Sequence, residues 1–112
     1  MITIDQLKTA DIRIGQILSA EEVPETDKLL RLTVSFGEET PRQIISGIKQ
    51  YVADIQTLVG KKTAFVVNLE PRTIKGLESN GMLFAVSTGE GEERQFSFIV
   101  PERDIPPGAR LG

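Results

Sequence analysis

The sequence lacks several residue types on which catalysis and metal binding usually depend. Its 112 residues include no cysteine, no histidine and no tryptophan. Without cysteine the chain has no disulfide, thiolate metal ligand or thiol nucleophile. Without histidine it has no imidazole base to activate a serine or cysteine, and no imidazole metal ligand. We therefore expect a protein that is not an enzyme and that binds no metal and no cofactor.

Long apolar segments are also absent. No run of apolar residues approaches the roughly 18 that a membrane-spanning helix requires. The first six residues have neither a basic region nor a long apolar stretch, so we expect no secretory signal. The lack of cysteine fits a reducing compartment. We expect a cytoplasmic protein of one domain, residues 1–112, that does not associate with membranes.

Aromatic residues are few, and the 16 acidic residues outnumber the 13 cations. The net charge is −3, but the cations are unevenly distributed, because residues 42–76 contain six cations and two anions. A local field matters more than net charge for a bound polyanion. The charge pattern alone leaves this stretch open between a solvated surface and a binding surface. With one tyrosine and no tryptophan, base stacking is poorly supplied, which favours recognition of folded RNA by backbone and shape.

Alternation of apolar and polar residues predicts a chain that is mostly strand. A capping box of Thr3 and Gln6 predicts a short N-terminal helix to about Lys8, and a second small helix is predicted over 54–60, where Asp54 is the cap. Gly15 predicts a bulge or sharp bend in the first strand. Strands are predicted over 11–23, 28–36, 42–48, 62–69 and 82–87, with an extra strand over 96–100. The predicted core contains Ile14, Leu30, Leu32, Val34, Phe65, Val67, Leu69 and Phe84.

The stretch 68–82 joins the fourth and fifth predicted strands and shows no helical or strand period. A loop this long in a small domain is usually either functional or disordered. Ile74 and Leu77 could pin it to the barrel, which favours function. Arg72 and Lys75 could then project as a planar fork and a point charge. We interpret the loop as a binding element for a polyanion.

The same stretch resembles a known family. Its residues are similar to the signature of the tRNA-binding domain of methionyl-tRNA synthetases and their free-standing relatives. Earlier segments fit the same family, and the resemblance covers about 11–111. The matching motifs are Asn68-Leu69-x-Pro71-Arg72, Gly76-x-x-Ser79-x-Gly81-Met82, Asp11-x-Arg13-x-Gly15-x-Ile17, Asp27-Lys28-Leu29 and Arg42-Gln43-Ile44-Ile45-Ser46-Gly47-Ile48.

The resemblance implies an all-β OB-fold with short helices, a five-stranded Greek-key barrel with an N-terminal helix and a C-terminal extension. It implies a tRNA partner, commonly a homodimer, and action alone or beside a methionyl-tRNA synthetase catalytic chain. Such a chain would be a non-catalytic domain or subunit of the ligase. The secretion chaperones of the same superfamily resemble this sequence less, because they lack the Arg42–Ile48 motif and the Pro-Arg pair. A chaperone-like, peptide-binding module remains the alternative.

In the OB-fold, nucleic acid is held by strands two and three and by the one–two and four–five loops. Lys28 could instead form a surface ion pair with Asp27, and Asn68 could instead cap a turn. Ser79 and Met82 are included because the family places them in its binding region. The candidate RNA-binding residues are Lys28, Arg42, Ser46, Lys49, Asn68, Arg72, Lys75, Ser79 and Met82.

The N-terminal helix and the extra strand are not needed to close a five-stranded barrel, yet they carry considerable apolar surface. Exposed apolar patches of this kind often mark an interface. We therefore predict a symmetric homodimer that uses these segments. The alternative is a monomer in which they cover the barrel ends. The apolar residues concerned are Ile4, Leu7, Phe96, Phe98 and Ile99.

Overall fold

The computed structural model describes all 112 residues of the chain. In chain order the elements are α1 (Ile4–Leu7), β1 (Ile12–Glu22), β2 (Leu30–Ser35), β3 (Arg42–Ser46), β4 (Lys62–Val66), β5 (Arg72–Ile74), β6 (Leu77–Ser79), β7 (Met82–Leu83), β8 (Ala85–Thr88) and β9 (Gln95–Phe98). Short 3₁₀ helices lie at Lys49–Tyr51, Ile55–Leu58 and Gly91–Glu93. None of these helices has the length and apolarity needed to cross a bilayer.

Five antiparallel strands form the main sheet, in the order β3-β2-β1-β4-β7. β1 is long enough to pair with β4 along its first half and with β2 along its second half. The pairing with β2 shifts register between Ile17 and Ser19. Such an irregularity bends a strand and helps a sheet to curl into a barrel.

The predicted bulge at Gly15 is wrong in position, since the register shift lies between Ile17 and Ser19. Gly15 is required for a different reason. A Cβ atom there would lie 2.6 Å from side-chain atoms of both Val34 and Phe36. The glycine therefore permits the close approach of the first two strands inside the barrel.

The barrel is nearly closed by the segment after β6, which lies beside β3. The amide of Asn80 donates to the carbonyl of Gln43 at 2.8 Å, and the amide of Ile45 donates to Ser79 Oγ at 3.0 Å. The prediction of a mostly β, five-stranded antiparallel barrel is therefore confirmed. Both hydrogen bonds of the predicted N-terminal capping box are also present. The second predicted helix is a 3₁₀ turn over Ile55–Leu58, and the Asp54 side chain caps it.

The stretch 68–82 is more ordered than its sequence indicates. It contains the hairpin β5–β6, in which Ile74 pairs with Leu77 across a two-residue turn. The turn residues Lys75 and Gly76 have φ of 51° and 79°, as a type I′ hairpin turn requires. Three-residue strands are too short for alternation to be recognised, so the sequence analysis did not predict these two strands. The predicted fifth strand is likewise divided, because β7 joins the main sheet and β8 pairs with β9.

The core prediction is correct for strands one and two and for one of the three residues named in strand four. Ile14, Leu30, Leu32, Val34 and Phe65 are buried. Val67 is half-buried, whereas Leu69 and Phe84 are 41% and 39% exposed, so their assignment to the core is wrong. β4 ends at Val66, so strand alternation no longer determines which residues after it face inward. Three large buried residues absent from the prediction are Ile17, Ile44 and Leu58.

Candidate nucleic-acid interface

The cations of the chain separate into those that already have an acidic partner and those that do not. Arg31 pairs with Glu21 on the neighbouring strand, and Lys62 pairs with Asp104 in the C-terminal tail. The other paired cations are Arg13, Arg42, Lys49, Arg103 and Arg110. No acidic group lies within ion-pair distance of Lys8, Lys28, Lys61, Arg72, Lys75 or Arg94.

Three of the candidate RNA-binding residues belong to the second group. Lys28 is exposed in the turn between β1 and β2, while Arg72 and Lys75 are exposed on the β5–β6 hairpin. An exposed cation without an intrachain partner can bind a phosphate without first breaking an ion pair. The hairpin therefore carries two available positive charges on an ordered element.

Arg42 is in the opposite situation. It pairs with Val34 across β2 and β3, and its guanidinium lies 5.4 Å from the centre of the Phe36 ring. Its Nε and Nη2 atoms donate to the two carboxylate oxygens of Glu38, each at 2.9 Å. The remaining nitrogen, Nη1, donates to the carbonyl of Val67 at 2.7 Å. The structure thus places Arg42 among intrachain acceptors at one end of the barrel.

The Glu38 pair also explains the electrostatics at this position. Hydrogen bonds from Arg42 hold the pKa of the Glu38 carboxyl below its usual range, and the same contact raises the pKa of Arg42. A bidentate arrangement of this kind combines Coulomb attraction with fixed geometry. In the free chain Glu38 therefore occupies two of the three guanidinium nitrogens of Arg42.

Asn68 and Lys49 are also engaged within the chain. The Asn68 side chain accepts from the amide of Asp11 at 2.9 Å and donates to the carbonyl of Thr9 at 2.6 Å. It therefore ties the start of β1 to the end of β4. The Lys49 ammonium lies 3.1 Å from a carboxylate oxygen of Glu22.

The last three candidates differ in exposure. Ser79 is buried, and its hydroxyl accepts from the amide of Ile45 and donates to the carbonyl of Gly81. Ser46 is buried at the end of β3, whereas Met82 is exposed at the start of β7. Both serines thus lie beneath the surface, and Met82 is accessible to a ligand.

Sequence reasoning missed an ionic cluster at the end of the barrel near Arg42. Arg13 donates to both oxygens of Asp11, at 2.8 and 3.1 Å, and to the carbonyl of Gly108 at 3.0 Å. The Arg13 hydrogen bond lowers the pKa of the Asp11 carboxyl. The cluster fastens the C-terminal tail to β1, so the Asp11-x-Arg13 motif has a structural role here.

Together with Arg42 and Asn68, this ionic cluster borders a polar cleft of about 300 Å³. No group of acidic residues is arranged to hold a metal ion.

The sequence is similar to several proteins of translation. Residues 12–110 match the tRNA_bind family, whose description reads "Putative tRNA binding domain". The methionine–tRNA ligase of Methanocorpusculum labreanum is 48% identical over 99% of this chain. The cytoplasmic tyrosine–tRNA ligase of Xenopus tropicalis is 42% identical over 90% of it. The chain spans 15% and 19% of the length of those two ligases.

Solved structures match over the whole chain. A methionyl-tRNA synthetase-related protein from Pyrococcus horikoshii has a TM-score of 0.89 and 35% identity, covering all of this chain and 98% of that one. The chaperone CsaA from Bacillus anthracis has a TM-score of 0.82 and 27% identity, covering all of this chain and 99% of that one. These matches confirm the OB-like barrel. The matching family is described by binding and not by a reaction.

Proposed function

We propose that this chain, which belongs to the tRNA-binding domain family, holds folded tRNA by its sugar–phosphate backbone. Members of this family form part of methionine–tRNA ligases. The contact surface comprises the β5–β6 hairpin, the outer face of β2 and β3 and the turn between β1 and β2. The observation that carries this assignment is the pattern of ion pairing. On these elements Lys28, Arg72 and Lys75 are exposed and have no acidic partner.

We assign the candidate residues different parts in this surface. Lys28, Arg72 and Lys75 contact phosphates, and Met82 supplies an apolar contact. Lys49 contributes less charge because Glu22 neutralises it. The others, Arg42, Ser46, Asn68 and Ser79, support the surface through the contacts described above.

The supply of aromatic groups favours folded RNA over unpaired strands. Tyr51, the only tyrosine, is stacked against Phe96 with ring centres 4.8 Å apart. One face of its ring is therefore already covered, which leaves little aromatic surface for the base stacking on which binders of single strands depend. We propose recognition by backbone and shape, without catalysis by this chain.

A competition experiment tests this function. Total tRNA, a generic RNA duplex and a homopolymeric single strand would be titrated against the protein at several salt concentrations. We expect tRNA to bind most tightly, and log affinity to fall with log salt with a slope of about 2 to 3, since each of three phosphate contacts contributes roughly 0.7 to 0.9. Binding that is insensitive to salt, or equal for all three RNAs, would contradict the proposal.

Peptide binding is the second candidate, and the similarity to the CsaA chaperone structure is the observation that favours it. An unfolded polypeptide added to the same titration separates the two functions. If peptide rather than tRNA binds, the chaperone function is supported. The tRNA function is preferred because the family and the methionine–tRNA ligase relatives both concern tRNA.

We further propose that the chain acts in the cytoplasm, alone or beside a methionyl-tRNA synthetase catalytic chain. Both arrangements have a counterpart among the relatives. A region similar to this chain is 15% of a methionine–tRNA ligase, and it is nearly the whole of the related Pyrococcus protein.

The exposed apolar surface of α1 favours a homodimer. Every residue of α1 is exposed, with Ile4 and Leu7 at 69% and 58%. Beside the helix, Ile12 and Leu111 border an apolar cleft of about 740 Å³. We propose that a second copy of the chain covers this surface, in agreement with the tendency of exposed apolar patches to mark interfaces. The extra strand was also predicted to join the interface, but the aromatic side chains of β9 pack against the barrel core instead.

Light scattering at micromolar protein tests the dimer. We expect about twice the chain mass of 12.3 kDa. Leu7→Glu is expected to give the monomer, because a charge at the interface centre would be desolvated without a partner. Val59→Glu is the matched control, since Val59 is also exposed but lies after the 3₁₀ turn Ile55–Leu58. A wild-type mass near 12.3 kDa would refute the dimer.

A further inference from the structure

The β5–β6 hairpin leaves the barrel after Val67 and returns to it at Asn80. We refer to these two residues as the hairpin neck. One guanidinium nitrogen, Arg42 Nη1, joins both sides of the neck, because it donates to the carbonyl of Val67 at 2.7 Å and to that of Asn80 at 3.5 Å. Arg42 thus bridges the two points between which the whole hairpin lies.

The other hydrogen bonds from β3 to the hairpin reach only its returning side. Gln43 accepts from the amide of Asn80 and donates through its side chain to the carbonyl of Glu78. The amide of Ile45 donates to Ser79. No other side chain donates to the carbonyls on both sides of the neck, so Arg42 makes the hydrogen bond that joins β3 to the departing side. That side is also held at the start of β1, because the amide of Val67 donates to the carbonyl of Asp11 at 2.8 Å.

Glu38 and Phe36 determine where the Arg42 guanidinium lies. The two hydrogen bonds to Glu38 fix its plane, and the Phe36 ring lies 5.4 Å away. A guanidinium is a rigid planar fork, so fixing one edge directs the other. The edge that does not bind Glu38 carries Nη1, which donates to the carbonyls of the neck. For Arg42 to bind a phosphate with its fork, the Glu38 pair would have to open.

We propose that Arg42 is a positioning residue, which fixes the β5–β6 hairpin at its neck so that Arg72 and Lys75 meet the RNA phosphates, and does not itself contact phosphate. This inference rests on the proposed function and deepens it. By this proposal Glu38 favours RNA binding although it is an acid, because it holds Arg42 in place.

Amide hydrogen exchange of the free protein tests the mechanical part. Arg42→Lys keeps the charge but removes the fork, so exchange of the hairpin amides, residues 72–79, is expected to become faster. Arg31→Lys is the matched control. Arg31 is also paired with a carboxylate, that of Glu21, but forms no hydrogen bond or ion pair with the hairpin. Equal exchange in the two variants would overturn the proposal.

Affinity measurements test the link to RNA. Arg42→Lys is expected to weaken tRNA binding about tenfold, the equivalent of one charge-assisted hydrogen bond. In a background that already has Arg72→Ala and Lys75→Ala, the same change should cost little, because its route through the hairpin is gone. If Arg42 instead contacts phosphate directly, Arg42→Lys should retain most of the affinity. Any loss of affinity that it does cause should then be the same in the wild-type and in the Arg72→Ala, Lys75→Ala background.

Glu38→Gln separates the two roles most directly. If Arg42 contacts phosphate, removing its competing carboxylate should raise affinity and steepen the salt slope by roughly 0.7 to 0.9. If Arg42 positions the hairpin, the same change should weaken binding. The exchange experiment needs no RNA, so it decides the positioning role even if the protein does not bind tRNA.

Discussion

Replacing Arg72 and Lys75 together by alanine is expected to reduce tRNA affinity about a hundredfold, on the basis of about tenfold for each charge-assisted contact. Both cations are exposed, and neither is in an ion pair. Binding therefore gains their full attraction without the loss of an intrachain pair. The slope of log affinity against log salt should become flatter by roughly 1.4 to 1.8, because two counterion-releasing contacts are removed.

The matched control is the double change Arg94→Ala with Arg103→Ala. It removes the same charge from the acidic C-terminal third, where both side chains are also exposed. We expect little change in affinity or slope. Filter binding at four salt concentrations would provide both quantities. If the two double variants lose the same affinity, attraction to the protein is diffuse and the hairpin is not the site.

Replacing Gly15 by alanine is expected to lower the free energy of unfolding by about 2 to 3 kcal/mol, toward the upper end of the cost of overpacking a core. The added methyl group would lie 2.6 Å from side-chain atoms of Val34 and Phe36. Neither neighbour can move easily. Val34 is fully buried, and Phe36 packs edge-to-face against Phe65 with ring centres 5.5 Å apart.

Gly47→Ala is the control for this variant. A Cβ at Gly47 meets no atom within 4 Å, and the residue is not in the left-handed region. Its stability should stay within about 0.5 kcal/mol of wild type, as is usual for surface changes. Urea unfolding measures the free energy of unfolding of both variants, provided that their m-values equal that of the wild type. Equal midpoints for the two variants would show that the contact around Gly15 relaxes freely.

Several features of this protein follow from the sequence by itself. The apolar alternation of β2 is decisive, because Leu30, Leu32 and Val34 bury one face whatever the neighbouring strands are. The capping box is equally local, since both of its hydrogen bonds join residues three positions apart. The family motifs are continuous stretches, so the family could also be predicted. Local periodicity and spacing were sufficient for the strand and the cap, whereas the family was predicted from the resemblance of its motifs.

The tertiary structure decided which cations remain free. In sequence Arg42, Arg72 and Lys75 look alike, as cations in one basic stretch. The register of β2 and β3 and the turn between them bring Arg42 over Phe36 and against Glu38. The other two cations lie on the hairpin and form no ion pair. Lys62 and Lys49 likewise find partners 42 and 27 positions away, in Asp104 and Glu22. Ion pairing depends on distance in space. The conformation of the chain decides that distance both for these remote pairs and for Arg42 and Glu38, which are only four positions apart.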